Sequence, residues 1–112
     1  MQELQKKLSE LRGEFLKVYE KLGISDKVLK MVELEKEVAE PEIWRDVEAA
    51  TRKNQELARV KEEVEPWELL RTQIEDLGEL MEISDEDLKE EISGQIEAME
   101  KEFLELKKAL RF

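Results

Sequence analysis

The sequence predicts an all-α fold: an antiparallel helical bundle with coiled-coil-like packing, in which three to four helices gather around one long helix. Three observations carry this. Apolar residues recur in steps of three and four along almost the whole chain, as one buried helical face requires. The composition, 44% charged and 40% hydrophobic in 112 residues, is that of long helices rich in Ala, Glu, Lys, Leu and Arg. No linker rich in Gly, Ser or Pro divides the chain and no motif repeats, so residues 1–112 are expected to form a single helical domain rather than a solenoid.

The first helix is predicted over 2–22. Leu4, Leu8, Leu11, Phe15, Val18 and Leu22 form an uninterrupted seam of the coiled-coil kind. Gly13 within it costs about 1 kcal/mol relative to Ala, and Gly23 stands where a left-handed cap would end the helix. A second helix, over 26–39, is expected to be capped by Ser25 or Asp26. Its core side would hold Val28, Met31, Val32, Leu34 or Glu35 by phase, and Val38. Pro41 stops it, since proline disfavours helix in the residue before it and donates no hydrogen bond. The connector from Glu40 to Asp46 carries two large apolar side chains, Ile43 and Trp44. Trp44 is expected to fold back as an anchor that sets how the second helix enters the third, with a partner-facing tryptophan as the alternative.

The long helix, 46–82, is the spine. Its stripe is Val47, Ala50, Leu57, Val60, Val64, Trp67, Leu70, Ile74, Leu77 and Met81, interrupted at Asn54. At ~1.5 Å per residue it would be ~54 Å long, so the flanking segments must pack against it in series. Asp46 is placed to cap it. Pro66 costs about 3 kcal/mol in a helix interior, yet the stripe keeps phase across it. A kinked but continuous helix is expected, with two helices broken at Glu65 as the fallback. Ser84-Asp85-Glu86-Asp87 has the Ser-x-x-Asp form of a reciprocal N-cap; as a calcium loop it lacks the glycine and the distal glutamate. The last helix, 85–110, should bury Leu88, Ile92, Ile96, Met99, Phe103, Leu106 and Leu110 and return antiparallel along the spine. Gly94 would permit a close crossing or weaken one turn. Lys107, Lys108 and Arg111 complement the dipole at the helix end.

The net charge of −11 argues against strong direct nucleic-acid binding by the domain as a whole, because that depends on Lys and Arg replacing condensed counterions. A basic partner is the better electrostatic match. Cysteine and histidine are both absent, which removes disulfides, thiolate and imidazole chemistry and the usual metal ligands. The carboxylates lie on helical faces that are ordinarily solvated, whereas a catalytic acid needs a partly dry pocket. No enzymatic activity, catalytic residue, cofactor or metal site is expected. No apolar run reaches the ~20 residues that span a bilayer, and no signal core opens the chain; a cytoplasmic protein is expected. Arg45, Arg52 and Arg59, spaced by seven, would share one face of the spine, with Lys53 and Lys61 beside it. They form either a docking stripe for phosphates or acidic side chains, or ion pairs along the helix, for which Glu48 precedes Arg52 by four.

The run from Leu34 to Asp46 with its Pro41-x-x-Trp44-x-Asp46 break, then the Ala-rich start of the spine, then Leu77-Gly78-Glu79-Leu80-Met81-Glu82 and its acidic turn, resembles the N-terminal domain of bacterial class-I peptide chain release factors. The Pro-x-x-Trp form is similar to the type-2 factors, which read UGA and UAA. The likeness runs from about Leu22 to the C-terminus. It implies a non-catalytic helical domain that acts in translation termination by docking on the ribosome near the large-subunit stalk base, with Arg45, Arg52 and Arg59 as candidate contacts. The family reads stop codons and hydrolyses peptidyl-tRNA in later domains, the latter through a Gly-Gly-Gln loop. Glycine is never doubled here, so those domains would be partners, and the chain an excised domain, a truncated product or a stand-alone protein. The rival function is a stand-alone coiled-coil adaptor or dimerisation module, with the Leu4–Leu22 seam as its interface.

Overall fold

The structure, a computed structural model, describes residues 1–110. They form α1 (Gln2–Lys21), α2 (Ile24–Ala39), a 3-10 turn (Pro41–Arg45), α3 (Val47–Ile83), a short 3-10 turn (Glu86–Leu88) and α4 (Lys89–Lys108). The fold is all-α, with no strand among the described residues. No helix among them is long and apolar enough to cross a membrane. α3 runs through Pro66 as one helix, so the break at Glu65 does not occur. Two compact units are present: residues 1–18 together with the chain from Trp67 onward, and Tyr19–Pro66.

The first unit is built from three helical stretches whose directions follow from their contacts. Leu8 lies against Gly78, and the ring of Phe15 against that of Trp67, so α1 and α3 run antiparallel. The Met1 ammonium sits 3.6 Å from Glu86 while Phe15 meets Phe103, so α1 and α4 run parallel. α3 is therefore antiparallel to both. Leu4, Leu8, Leu11 and Phe15 of the predicted seam are buried, as are Leu70, Ile74, Leu77 and Met81 of α3 and Ile92, Ile96, Met99 and Phe103 of α4. Three rings, one per helix, close the centre: centroids of Phe15, Trp67 and Phe103 lie 5.8 to 6.3 Å apart, the spacing of tilted and edge-on aromatic contacts.

Several expectations for this unit are corrected. The residue that caps the acidic turn is Asp85, whose carboxylate accepts from the Asp87 amide at 3.0 Å. Ser84 instead donates its hydroxyl back to the Leu80 carbonyl at 2.6 Å, closing the end of α3. Leu110 is 47% exposed because α4 stops at Lys108, before the next turn could carry it inward. A Cβ at Gly94 would meet nothing within 4 Å, so no helix crosses closely there. Lys108 pairs with Glu105 at 3.6 Å, and Lys107 places its ammonium 4.2 Å from the centroid of the Phe103 ring, a contact beyond its complement to the helix dipole. Arg111 lies outside the described residues.

The second unit is a helical hairpin. α2 and α3 run antiparallel, joined by Lys27–Glu63, Lys30–Glu56 at 4.0 Å and Lys53–Glu37 at 2.6 Å. Its buried side chains are Ile24, Leu34, Ala50, Leu57 and Val64. α2 begins earlier than expected: Gly23 takes the left-handed conformation with φ +65°, no side chain caps the helix, and Ser25 and Asp26 already lie inside it. The Gly23 amide donates to Glu20 at 3.0 Å and its carbonyl accepts from Lys27 at 3.1 Å. One glycine thus ends α1 and starts α2, a geometry that a Cβ would strain. Only Leu34 of the expected core side of α2 is fully buried; Val28, Met31 and Val38 are half-buried, and Val32 and Glu35 are exposed. Val47, 62% exposed, also leaves the core, because α3 starts at this residue and first turns inward at Ala50.

Candidate functional site

The candidate site lies on the hairpin unit, around the connector and the first half of α3. Pro41 starts the 3-10 turn, where a fixed φ and a missing N–H cost nothing. The turn brings Trp44 back over the end of α2, where its indole N–H donates to the Val38 carbonyl at 2.9 Å. Trp44 is nonetheless 42% exposed, so it anchors through its polar edge and still presents ring surface to solvent. Asp46 then starts α3: its carboxylate accepts from the Ala49 amide at 3.1 Å, satisfying one of the amides that a helix start leaves without a partner. Pro41, Trp44 and Asp46 therefore act together as a joint that fixes where α3 begins.

Arg45 belongs to the 3-10 turn and not to the spine, which corrects the expectation of three arginines on one helical face. Arg52 and Arg59 do share a face. At ~100° per residue they lie roughly opposite the buried line of Ala50, Leu57 and Val64. All three arginines are exposed. None forms an ion pair with a described residue, and the expected Glu48–Arg52 pair is not formed. The ion pairs of the hairpin lie instead on the α2 side, where Glu37, Glu56 and Glu63 take Lys53, Lys30 and Lys27. The Lys53 hydrogen bond holds the Glu37 carboxyl below its ordinary range, against the opposing effect of burial. Lys53, expected beside the arginine stripe, is thus committed to the hairpin.

Such an arrangement can receive phosphate or carboxylate groups from a partner; it offers no nucleophile held by a base. No group of three or more carboxylates that could hold a metal is found among the described residues. Three structural contacts escaped the sequence reading. The Trp44 indole bond spans six residues outside any periodic pattern. Ile24 is 1% exposed, hidden from prediction by the assumption that the helix began after it. Arg71 is clamped by Glu68 at 2.8 Å and Glu75 at 3.0 Å, which the spacing of three and four residues could have signalled.

A family model for the PCRF domain matches residues 27–112. The chain belongs to the PCRF domain family. The matched stretch of the PCRF domain takes in nearly all of α2, the Trp44 joint, α3 and α4. Among curated relatives, the chain is 35% identical over 104 residues to peptide chain release factor 2 of Clostridium perfringens, covering 90% of this chain and 29% of that protein. It is 30% identical over 104 residues to peptide chain release factor 2 of Chloroflexus aggregans, covering 89% and 28%. With peptide chain release factor RF2 of Thermus thermophilus it shares 32% identity over 83 residues, covering 74% and 22%. The PCRF domain chain thus spans under a third of the length of these relatives. No solved structure matches it.

Proposed function

We propose that this chain is the helical N-terminal domain of a type-2 class-I peptide chain release factor, and that it acts in translation termination by docking the factor on the ribosome near the large-subunit stalk base. The observation that carries the reading is the PCRF match over residues 27–112, supported by release factor 2 relatives that align over most of the chain. The domain positions; it does no chemistry. Codon reading and peptidyl-tRNA hydrolysis fall to the remaining domains, and the setting is the cytoplasm. Exposed Arg45, Arg52 and Arg59, without ion pairs to described residues, are the contacts proposed for ribosomal phosphates or acidic side chains. The rival reading, a self-associating coiled coil, has less support because Leu8 and Phe15 of its seam already pack within the chain.

The test is a chimera. Joined to the codon-reading and hydrolytic domains of a type-2 factor, the chain should restore peptide release on ribosomes stalled at UGA to well above that of the same factor without its first domain. Release no better than the deletion, from a soluble and folded chimera, would refute the assignment.

A further inference from the structure

We propose that Trp44 is a positioning residue for ribosome docking: its indole N–H, held on the Val38 carbonyl, fixes the 3-10 turn that presents Arg45 to the partner. The inference rests on the docking reading above and adds the residue that sets one of its contacts. Arg45 is the last residue of the turn and follows Trp44 directly. It is exposed and has no ion pair with a described residue, so no carboxylate steers its guanidinium. Where that group stands is set by the backbone of the turn.

That backbone is weakly tied from within. Two main-chain hydrogen bonds close it, from the Ile43 amide to the Glu40 carbonyl and from the Asp46 amide to the Ile43 carbonyl, each 3.3 Å long and so beyond the usual range for an N–H donor. The indole bond to Val38 is shorter, at 2.9 Å. It fastens the turn to α2 and satisfies one of the carbonyls that a helix end leaves without a partner. Burial does not replace it, since no residue of the turn is fully buried and Trp44 itself is 42% exposed. Asp46 fastens the chain to α3 one residue beyond Arg45, which leaves the Trp44 bond as the tie on the α2 side. Arg52 and Arg59 need no such tie, because both stand within α3 and regular helical hydrogen bonds hold their backbone. Of the three proposed contacts, Trp44 therefore governs Arg45 alone. A turn held before the partner arrives spares the ordering that binding would otherwise have to supply.

Purified large ribosomal subunits are the probe, titrated against the labelled chain and followed by fluorescence anisotropy. Trp44→Phe removes the N–H, keeps an aromatic ring and leaves the buried side chains of the hairpin untouched, so its helical circular dichroism should match that of the native chain. It should bind the subunits about threefold or more weakly than the native chain does. Arg45→Ala should weaken binding to a similar degree, and adding Trp44→Phe to it should weaken binding no further, whereas the losses from Trp44→Phe and Arg59→Ala should multiply. In the free chain, hydrogen exchange of the Ile43 and Asp46 amides should be about threefold or more faster in Trp44→Phe, with that of Leu57 unchanged. Native binding by Trp44→Phe, or a loss that multiplies with that of Arg45→Ala, would overturn the proposal and leave the docking reading standing; the second result would make Trp44 a contact in its own right. Loss of helix in Trp44→Phe would assign the bond to the fold, and unchanged exchange at the two amides would show that it does not hold the turn; either overturns the proposal. A native chain that fails to bind the subunits would overturn both the proposal and the docking reading.

Discussion

Trp67 is the side chain on which the three-helix unit closes: 4% exposed, it touches Phe15 of α1 and Phe103 of α4 from its place on α3. Trp67→Ala removes both ring contacts and leaves a cavity, and should cost about 3 to 5 kcal/mol in urea denaturation. A near-neutral result would mean that the rings are not the centre of that unit. Polar residues act more gently. Exposed ion pairs contribute little, but Glu37 has a sign that can be checked. Its carboxyl is held below the ordinary value of 4.5 by Lys53, so the folded form takes up a proton less readily than the unfolded chain. The contribution is present at neutral pH and is lost as pH falls below 4.5 through the folded value. Lys53→Met should therefore lower the Tm at pH 7 and narrow the difference in Tm between neutral and acid solution. An unchanged pH dependence would remove the pair from the account.

At the scale of elements, the joint before α3 makes the next prediction. Asp46→Ala leaves the Ala49 amide without its acceptor and should cost about 1 kcal/mol, read as a lower denaturation midpoint; Asp46→Asn should restore most of it. The elements differ in how well periodicity foretold them. The stripes of α1, α4 and the second half of α3 were legible because each of these helices contacts the other two and most of their repeated apolar positions are fully buried, although the predicted Val18, Leu22, Leu88 and Leu106, near the helix ends, stop halfway and Leu110 is exposed. α2 was less so, since within its hairpin only Ile24 and Leu34 are fully buried and residues such as Val28 and Met31 stop halfway. Caps slipped for another reason. Short polar runs such as Ser84-Asp85 place two oxygens near the same amides, and the path of the incoming chain chooses between them. At Gly23 the backbone alone makes the turn, with no side-chain cap to read.

For the molecule as a whole, the legible part was the class and the family. Helical periodicity predicted the all-α fold, and the Pro41-x-x-Trp44-x-Asp46 break pointed to the family that the match over residues 27–112 identifies. The candidate site was legible only in part. Spacing by seven puts Arg52 and Arg59 on one face of α3, but could not place Arg45 outside the helix, because Arg45 ends the 3-10 turn and α3 starts only at Val47. Nor could it reveal that Lys53 is engaged by Glu37, a contact between two helices. If Arg45, Arg52 and Arg59, all exposed, form the docking contact, reversing their charge should weaken binding to a large polyanionic assembly without touching the core. The deciding measurement is co-sedimentation of the chain with purified large ribosomal subunits, for the native sequence and for Arg45→Glu, Arg52→Glu and Arg59→Glu combined. The account predicts that the native chain pellets with the subunits and that the triple variant, equally helical, binds at least about tenfold more weakly; undiminished binding of the variant would contradict it.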